Sequence, residues 1–296
     1  MKLRPALAAP LLSLLFTLPG LAEGRLPIPL PELIPIAGDW NGDGYDEIGW
    51  HRPGTSLITL CTWSLTDDPE PAPIAPLCQD QSLAAMPQPQ IPLAGDWEGD
   101  GIDEPGLWNP STGVLTRFRF ENGQLERWDP LSLPTTTSRD WPFVGDWDSD
   151  GRDDLGLYTP DTAGYVLHFL DPSSDFEPIR STYGIPGADW RPIAGTWEIS
   201  GTDTDRPAFY DPLTATFHFL GSLSGELQPP VIRQIPEGPG LFPLAGAWWS
   251  GPDAIGVFDA VDRRIRLYPY AFIPTQRPLI TVIVQDPDER PDLSSD

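Results

Sequence analysis

One six-residue motif occurs five times in this chain and limits the folds that it can adopt. It reads Pro, an apolar residue, Ala or Val, Gly, any residue, and Trp. The copies lie at 35–40, 92–97, 142–147, 192–197 and 243–248. Their glycines are 57, 50, 50 and 51 residues apart, so one unit repeats along nearly the whole chain. Self-similarity at such a period is typical of solenoids and propellers.

Each unit has the pattern of four short β-strands. The motif forms the first strand, an apolar segment such as 155–158 the second, and an alternating segment such as 114–120 the third, ahead of a weaker fourth. No stretch of ten residues has the apolar period and the caps of a helix. One four-stranded sheet cannot bury both of its faces, but five sheets packed radially can. We therefore predict an all-β fold, a five-bladed β-propeller with four antiparallel strands per blade; a β-helix is the alternative, although its coils are usually shorter.

The chain also divides into a leader, the repeats and a tail. Lys2 and Arg4 precede an apolar run at 6–18, and small residues follow at 20–22, which is the pattern of a secretory signal peptide. A membrane anchor is the alternative, but the run is shorter than the ~20 residues that a span needs. The predicted segments are a signal peptide (1–22), a linker (23–33), a propeller (34–284) with units at 34–90, 91–140, 141–190, 191–241 and 242–284, and an acidic disordered tail (285–296). We therefore expect a secreted, periplasmic or cell-surface protein. How the ring closes is left open, because the last unit supplies its own outer strand at 279–284.

The charge of the chain narrows the range of its partners. It has 43 Asp and Glu against 18 Lys and Arg, a formal net charge of −25. Such a field opposes DNA, RNA and anionic lipid, because no basic patch is present to release counterions. It attracts divalent cations instead. We expect no nucleic-acid partner, and no membrane insertion once the signal is removed.

The two cysteines, Cys61 and Cys78, both lie in the extra residues of unit 1. In an exported chain a disulfide is the default, and here it would join the third strand of this unit to the fourth. Two free structural cysteines are the alternative.

An acidic loop of nine residues follows the glycine of the motif in units 1, 2 and 3. Oxygen ligands at alternate loop positions, with Gly at position 6 and a carboxylate at position 9, form a calcium loop. The alternate side chains converge on one point, and the glycine permits the left-handed turn between them. The predicted metal ligands are Asp39, Asn41, Asp43, Tyr45 and Glu47 in unit 1, Asp96, Glu98, Asp100, Ile102 and Glu104 in unit 2, and Asp146, Asp148, Asp150, Arg152 and Asp154 in unit 3. The residue at position 7 would contribute only its backbone carbonyl, which agrees with Tyr, Ile and Arg standing there.

The alternative is that these loops are solvated Asp-Gly turns. Each loop, however, places four or five carboxylates in nine residues, and unpaired like charges at that density repel one another. Units 4 and 5 keep the flanking strands but have Thr196 and Ala247 at position 1. We therefore predict about three Ca²⁺ ions, and a fold that does not need an ion in every unit.

The loops carry a family resemblance. The pattern Gly-Asp-Trp-x-x-Asp-Gly-x-Asp-(Asp/Glu)-apolar-Gly is present in units 1 to 3, and it resembles the FG-GAP/VCBS repeats of integrin α subunits and of many exported bacterial proteins. The resemblance implies a propeller with calcium in hairpin loops on one face, ligands at positions 1, 3, 5, 7 and 9, and roles in adhesion or recognition. This chain departs from it in having five units where integrin propellers have seven, and in having Glu at position 9 twice.

The sequence offers little that suggests catalysis. Its three histidines, His51, His168 and His218, have no Ser-His-Asp ordering or metal-ligand spacing, and Cys61 has no evident partner base. We therefore predict that the protein is not an enzyme. A polysaccharide-active enzyme, a glycosidase or lyase, is the alternative, with paired carboxylates drawn from residues such as Asp211 and Asp259.

Aromatic residues give a second functional hypothesis. Trp50, Trp108 and Tyr158 end the second strands of their units, as do Tyr210 and Phe258. If exposed, these rings could stack on sugars and form a multivalent lectin; packing between blades is the alternative. The tryptophans of the motif persist after the ligands are lost, so we expect them in the core. They are Trp40, Trp97, Trp147, Trp197 and Trp248.

The function predicted from the sequence is that of a secreted, calcium-binding β-propeller. It would act as a non-enzymatic recognition, adhesion or scaffolding module with an extracellular protein or glycan as its partner. A carbohydrate-binding lectin is the first alternative.

Overall fold

The computed structural model describes residues 32–62, 77–83, 90–133, 137, 139–173, 175–197, 204–223, 230–249, 251–268 and 280–284. The predicted signal peptide, linker residues 23–31 and the predicted tail lie outside these ranges. Within them, no helix is long and apolar enough to cross a bilayer.

Twenty strands of the described chain form five antiparallel sheets, each built from the four strands of one repeat in chain order. Blade 1 consists of β1 (Ile34–Gly38), β2 (Glu47–His51), β3 (Leu57–Thr62) and β4 (Leu77–Ser82). Blade 2 consists of β5 (Ile91–Gly95), β6 (Glu104–Asn109), β7 (Val114–Glu121) and β8 (Gln124–Ser132). Blade 3 consists of β9 (Trp141–Gly145), β10 (Asp154–Thr159), β11 (Gly164–His168) and β12 (Ile179–Thr182). Blade 4 consists of β13 (Arg191–Gly195), β14 (Arg206–Asp211), β15 (Thr216–Phe219) and β16 (Val231–Gln234), and blade 5 of β17 (Phe242–Gly246), β18 (Ala254–Asp259), β19 (Arg264–Leu267) and β20 (Ile280–Ile283).

The first strand of every blade lies innermost, and these five strands form a closed ring. β1 contacts β5, β5 contacts β9, β9 contacts β13, β13 contacts β17, and β17 contacts β1. The prediction of a five-bladed, all-β propeller is therefore confirmed. The question of closure is also answered: the last blade meets the first through inner strands, and each described sheet keeps the strands of its own repeat.

Glycine at the end of the inner strand allows neighbouring blades to approach closely. A Cβ atom on Gly38 of blade 1 would lie 2.9 Å from both the Cβ and the Oδ2 of Asp103 in blade 2. A Cβ atom on Gly95 would likewise lie 2.9 Å from the Cβ and 2.8 Å from the Oδ2 of Asp153 in blade 3. The glycine of the motif is therefore required by the backbone of one blade packing against the loop of the next.

The tryptophans of the motif fill the space beneath these loops. Trp40, Trp97, Trp147, Trp197 and Trp248 are between 0% and 7% exposed. The indole N–H of Trp97 donates to the Glu104 carbonyl at 2.9 Å, and that of Trp197 donates to the Arg206 carbonyl at 2.8 Å. Each buried ring stabilises the fold by about 2 kcal/mol. Their expected place in the core is confirmed.

The predicted disulfide is confirmed. Cys61 of β3 and Cys78 of β4 occupy directly opposite positions in the ladder and are bonded to each other. By the chain-entropy estimate, a bridge over this separation stabilises the fold by about 3 kcal/mol.

The axis of the propeller is filled at the end where the inner strands begin. Trp141 and Phe242 belong to blades 3 and 5, and their rings meet edge to face with centroids 6.4 Å apart. Arg191 of blade 4 lies between them, with its guanidinium carbon 3.7 Å from the Phe242 centroid and 5.8 Å from the Trp141 centroid. Arg191 is 8% exposed, and its guanidinium donates to the Leu241 carbonyl at 3.0 Å. Aromatic rings therefore shield a buried cation at this end of the axis.

Candidate metal sites in the acidic loops

The three acidic loops lie at the same end of the propeller, opposite the filled end of the axis. Each connects the inner strand of a blade to the second strand: β1 to β2, β5 to β6, and β9 to β10. Loop position 9 is in each case the first residue of the second strand, so the ladder holds it in place. These residues are Glu47, Glu104 and Asp154.

The carboxylate at position 1 organises the backbone of its loop. In blade 1, Asp39 Oδ1 accepts from the N–H groups of Gly42 at 2.7 Å and Asp43 at 3.1 Å, while Oδ2 accepts from Gly44 at 2.6 Å. Asp96 makes the same three bonds in blade 2, and Asp146 makes the last two of them in blade 3. One carboxylate therefore folds the loop around itself in all three blades.

Positions 5 and 6 complete the turn in the same way each time. Asp43 Oδ1 accepts from the N–H of Tyr45 at 3.1 Å, and the pairs Asp100–Ile102 and Asp150–Arg152 repeat this bond at 3.1 and 2.8 Å. The glycines at position 6 have φ angles of 85°, 82° and 83°, a conformation that L side chains rarely adopt. They are Gly44, Gly101 and Gly151. The predicted left-handed turn is therefore present in all three loops.

In blade 3 the carboxylates converge. One oxygen from each of Asp146, Asp148 and Asp154 lies within 4.8 Å of the other two, and among the described residues no other three His, Cys, Asp or Glu side chains do so. Asp148 Oδ1 and Asp154 Oδ2 are buried without a hydrogen-bond partner. The second oxygen of Asp154 accepts from the Leu170 N–H at 2.7 Å, which fixes the orientation of the carboxylate. Positions 1, 3 and 9 therefore each present an oxygen to one point, and the side chains at positions 3 and 9 each have an oxygen without a proton donor.

Blade 2 shares part of this arrangement. Glu104 at position 9 is 2% exposed, and its Oε2 is buried without a hydrogen-bond partner. Glu98 at position 3 lies 4.0 Å from the guanidinium of Arg119, towards the surface. The longer side chain at position 3 thus has a competing cation beside it.

In blade 1 the residues at positions 3 and 9 contact each other. The side-chain amide of Asn41 donates to Glu47 Oε1, and Oε2 accepts from the Trp40 N–H at 3.3 Å. Glu47 is 1% exposed. The amide of Asn41 could turn its oxygen towards a cation in place of this bond, since it carries both a donor and an acceptor.

The position-9 carboxylates have raised pKa values. Burial, and secondarily the neighbouring acidic side chains of the loop, raise the pKa of Glu47 to about 7 and that of Glu104 to about 8. For Asp154, burial and the nearby loop carboxylates raise the pKa to about 7. Both causes disfavour the ionised form, and the positive charge of a bound cation would oppose both by favouring the ionised carboxylate. The donor set, made of carboxylate and amide oxygens only, fits a hard divalent cation such as Ca²⁺.

Loop position 8 has a role that the sequence analysis did not assign. Asp103 of blade 2 accepts at Oδ2 from the Asp39 N–H of blade 1 at 2.8 Å, and its own N–H donates to the Asp39 carbonyl at 2.9 Å. This two-way pair recurs at all five junctions, with distances between 2.7 and 3.2 Å. The pairs are Asp46–Ala247, Asp103–Asp39, Asp153–Asp96, Asp205–Asp146 and Asp253–Thr196. The sequence contained a signal for this role, because the aspartate is retained in units 4 and 5, where the metal ligands are lost.

These five side chains, the axial aspartates, face one another around the propeller axis. Burial, followed by the charges of Asp103 and Asp253, raises the pKa of Asp46 well above its usual range. Burial also raises the pKa of Asp103 to about 7 and that of Asp205 to about 8. The charge of Asp253 in blade 5 contributes to the raised pKa of Asp103 in blade 2, which is consistent with carboxylates of non-neighbouring blades facing each other around the axis.

The aromatic residues proposed as a sugar platform are buried. Trp50, Trp108 and Tyr158 are 3%, 0% and 0% exposed and belong to the core between blades. The ladders also show that Trp50 is displaced by one residue from the others. His51 lies opposite the first inner-strand residue, as Trp108, Tyr158, Tyr210 and Phe258 do in their blades. These side chains therefore pack between the blades, as the alternative interpretation predicted.

The carboxylates considered for catalysis cap turns. Asp211 accepts from the Leu213 N–H at 2.9 Å and from the Thr214 hydroxyl at 2.8 Å. Asp259 at the equivalent position of blade 5 accepts from the Val261 N–H at 2.9 Å. The histidines also have structural contacts: His51 Nδ1 lies 2.9 Å from the Leu57 carbonyl, and His218 Nδ1 lies 3.0 Å from the Tyr183 hydroxyl.

Comparisons with known proteins do not identify a family for this chain. No protein-family model matches the chain, and no curated protein matches it. One solved structure with a similar fold is described as BBS1N in complex with ARL6DN, soaked with lead. It is 14% identical with a TM-score of 0.38, and the match covers 81% of this chain. This chain spans 65% of the length of that one.

Proposed function

We propose that the protein is a calcium-binding β-propeller of the FG-GAP/VCBS type. The observation that carries the proposal is the convergence of Asp146, Asp148 and Asp154 in blade 3, with two buried oxygens that have no hydrogen-bond partner. Leaving such groups unpaired costs about 1–3 kcal/mol each, and more when they are charged. A cation bound between them removes that cost.

The ligand chemistry favours calcium among divalent ions. Ca²⁺ takes six to eight oxygens at 2.3–2.6 Å in flexible geometry, whereas Mg²⁺ demands a smaller octahedron and retains waters. Each loop offers side-chain oxygens from positions 1, 3, 5 and 9 and a backbone carbonyl from position 7. In blade 3 these would be Asp146, Asp148, Asp150, Arg152 and Asp154. The equivalent sets of blades 1 and 2 have the same backbone turn, so we propose about three ions.

The propeller would act outside the cell as a non-enzymatic recognition, adhesion or scaffolding module. The Cys61–Cys78 disulfide is compatible with export. A protein partner is favoured over a glycan, because Trp50, Trp108 and Tyr158 present no exposed ring face. Asp211 and Asp259, the carboxylates considered for catalysis, each accept turn-capping hydrogen bonds, which favours a structural role for these two side chains.

Isothermal titration of the chelator-treated protein with CaCl₂ and with MgCl₂ tests the proposal. We expect about three calcium sites with Kd values on the order of 10⁻⁴–10⁻³ M, as in extracellular modules, and weaker binding of magnesium. Asp146→Asn should remove one site. The matched control is Asp161→Asn, which removes an exposed carboxylate of the same blade that pairs with Arg139 outside the loop. Absence of calcium binding up to several times these concentrations would refute the proposal.

A further inference from the structure

The junction between blade 5 and blade 1, here called the seam, differs from the other four junctions of the ring. At those four, the chain runs from the outer strand of one blade into the inner strand of the next. At the seam, β17 and β1 are neighbours without such a connection. Since each described sheet contains only the strands of its own repeat, no described strand joins the two blades. The seam is therefore held by non-covalent contacts alone.

One aspartate pair crosses the seam. The Asp46 N–H donates to the Ala247 carbonyl at 3.1 Å, and the Ala247 N–H donates to Asp46 Oδ2 at 3.1 Å. The two residues are 201 positions apart in the chain. Gly246 makes room for this carboxylate, because a Cβ atom there would overlap Asp46 Oδ2. Both backbone groups of Ala247 are thus bonded to a single residue of blade 1.

The two sides of the seam differ in their ability to bind a cation. The blade 1 loop has oxygen-bearing side chains at positions 1, 3, 5 and 9, whereas the blade 5 loop has Ala247 at position 1 and Trp249 at position 3. At the junction of blades 4 and 5, which has the equivalent pair Asp253–Thr196, both loops have lost their position-1 carboxylate. Of the two loops at the seam, only that of blade 1 therefore has a calcium ligand set, and neither loop at the blade 4–blade 5 junction keeps one.

We propose that the cation bound by the blade 1 loop closes the ring at the seam, by fixing Asp46 and thereby Ala247. This inference rests on the calcium site proposed above. Asp46 stands at position 8, between the carbonyl of Tyr45 and the carboxylate of Glu47, both of which would be ligands. With a residue on each side bound to the ion, the backbone of Asp46 is restricted to the conformation that pairs with Ala247, so opening of the seam gains less conformational entropy while the ion stays bound. Removing the ion frees the loop and allows the seam to open.

Hydrogen exchange followed by mass spectrometry tests this in the unmodified protein. Blade 5 has no carboxylate ligands in its own loop, so slower exchange at residues 246–249 on adding calcium must arise through a neighbouring blade. Calcium at ten times its Kd reduces opening by about tenfold in a linked equilibrium, and exchange at 246–249 should slow by that factor. The amide of Thr196 at the blade 4–blade 5 junction should change much less.

Four variants separate the seam from general stabilisation. Asp43→Asn weakens the blade 1 site and should abolish the slowing at 246–249, whereas Asp100→Asn weakens the blade 2 site and should preserve it. Asp46→Ala removes the acceptor of the Ala247 N–H but keeps the backbone bond to the Ala247 carbonyl, so it should retain calcium-dependent slowing within 39–45 and show clearly less of it at 246–249. Its matched control is Asp253→Ala, which removes the equivalent side-chain acceptor at the blade 4–blade 5 junction and should leave the calcium effect at 246–249 in place.

The failure of this inference and the failure of the proposed calcium site give different results. If calcium slows exchange within 39–47 of the unmodified protein but leaves 246–249 unchanged, the site exists and the closure of the seam is refuted. Equal slowing at 246–249 in Asp46→Ala would also overturn it. If calcium changes exchange in none of the three loops, the proposed function itself is wrong.

Discussion

Asp103 Oδ2 accepts a hydrogen bond from the Asp39 N–H at 2.8 Å, and the Asp103 N–H donates to the Asp39 carbonyl at 2.9 Å. Asp39 is a predicted calcium ligand of blade 1, and Asp103 precedes Glu104, a predicted ligand of blade 2. The same relation joins Asp96 to Asp153. The candidate metal loops are therefore bonded to one another in series around the axis, and none of them is an isolated hairpin turn.

The axial aspartates make opposing contributions to stability. Asp103 satisfies the Asp39 N–H, but its charge is repelled by the other carboxylates around the axis. Asp103→Ala should leave the Asp39 N–H without its partner and destabilise the protein by about 1–3 kcal/mol. Asp103→Asn keeps an acceptor oxygen and removes the charge, so at pH 8.5 in chelator it should match or exceed the unmodified protein.

Urea unfolding of the two variants in parallel measures this difference. The pair of substitutions is its own control, because both alter the same side chain and only one removes the acceptor. Equal destabilisation by Ala and Asn would show that the ionised carboxylate, and not simply an acceptor, is needed between the blades.

The motif glycine should not tolerate even a methyl group. In Gly38→Ala the new Cβ would lie 2.9 Å from the Asp103 side chain and 2.9 Å from the Trp40 ring, and both are held in place. Overpacking of this kind costs about 1–3 kcal/mol. Thermal and urea unfolding should show the loss. Gly238→Ala is the matched control: it has nothing within 4 Å of the new Cβ and should be neutral or slightly stabilising. Equal behaviour of the two variants would contradict the close packing of blades 1 and 2.

Reduction of the disulfide should lower stability without affecting the metal sites. Cys61 and Cys78 join β3 and β4, whereas the loop of the same blade connects β1 to β2. The double variant Cys61→Ala/Cys78→Ala should lose about 3 kcal/mol of unfolding free energy. Calcium titration of the folded variant should still give about three sites. Loss of a site in this variant would mean that the outer edge of blade 1 determines the geometry of its loop.

The repeat in the sequence was sufficient to predict the fold, because each unit carries its own strand pattern and a single sheet cannot bury its faces alone. The turn of each loop was also predictable, since glycine at position 6 and aspartates at positions 1 and 5 act locally. Contacts between blades could not be predicted from the sequence. The role of Asp103 depends on a residue 64 positions away, and the displacement of Trp50 by one residue depends on ladder register. Sequence spacing within one unit contains neither piece of information.

The metal-free protein should be more stable at pH 6 than at pH 8.5. Burial and neighbouring carboxylates raise the pKa of Glu104 to about 8, and burial raises the pKa of Asp205 to about 8, far above the value of ~4 in an unfolded chain. Below pH 4 such a group is protonated in both the folded and the unfolded state, and its favourable contribution to the free energy of unfolding has its full value. The contribution is lost as the pH rises from there through 8, because the unfolded chain ionises freely while the folded protein resists ionisation. Melting temperatures in excess chelator should therefore fall between pH 6 and pH 8.5. Saturating calcium should reduce this fall, since the ion compensates the charge of the loop carboxylates. A chelated protein whose melting temperature rises over the same interval would show that these carboxylates are not held in a desolvated, mutually repelling arrangement.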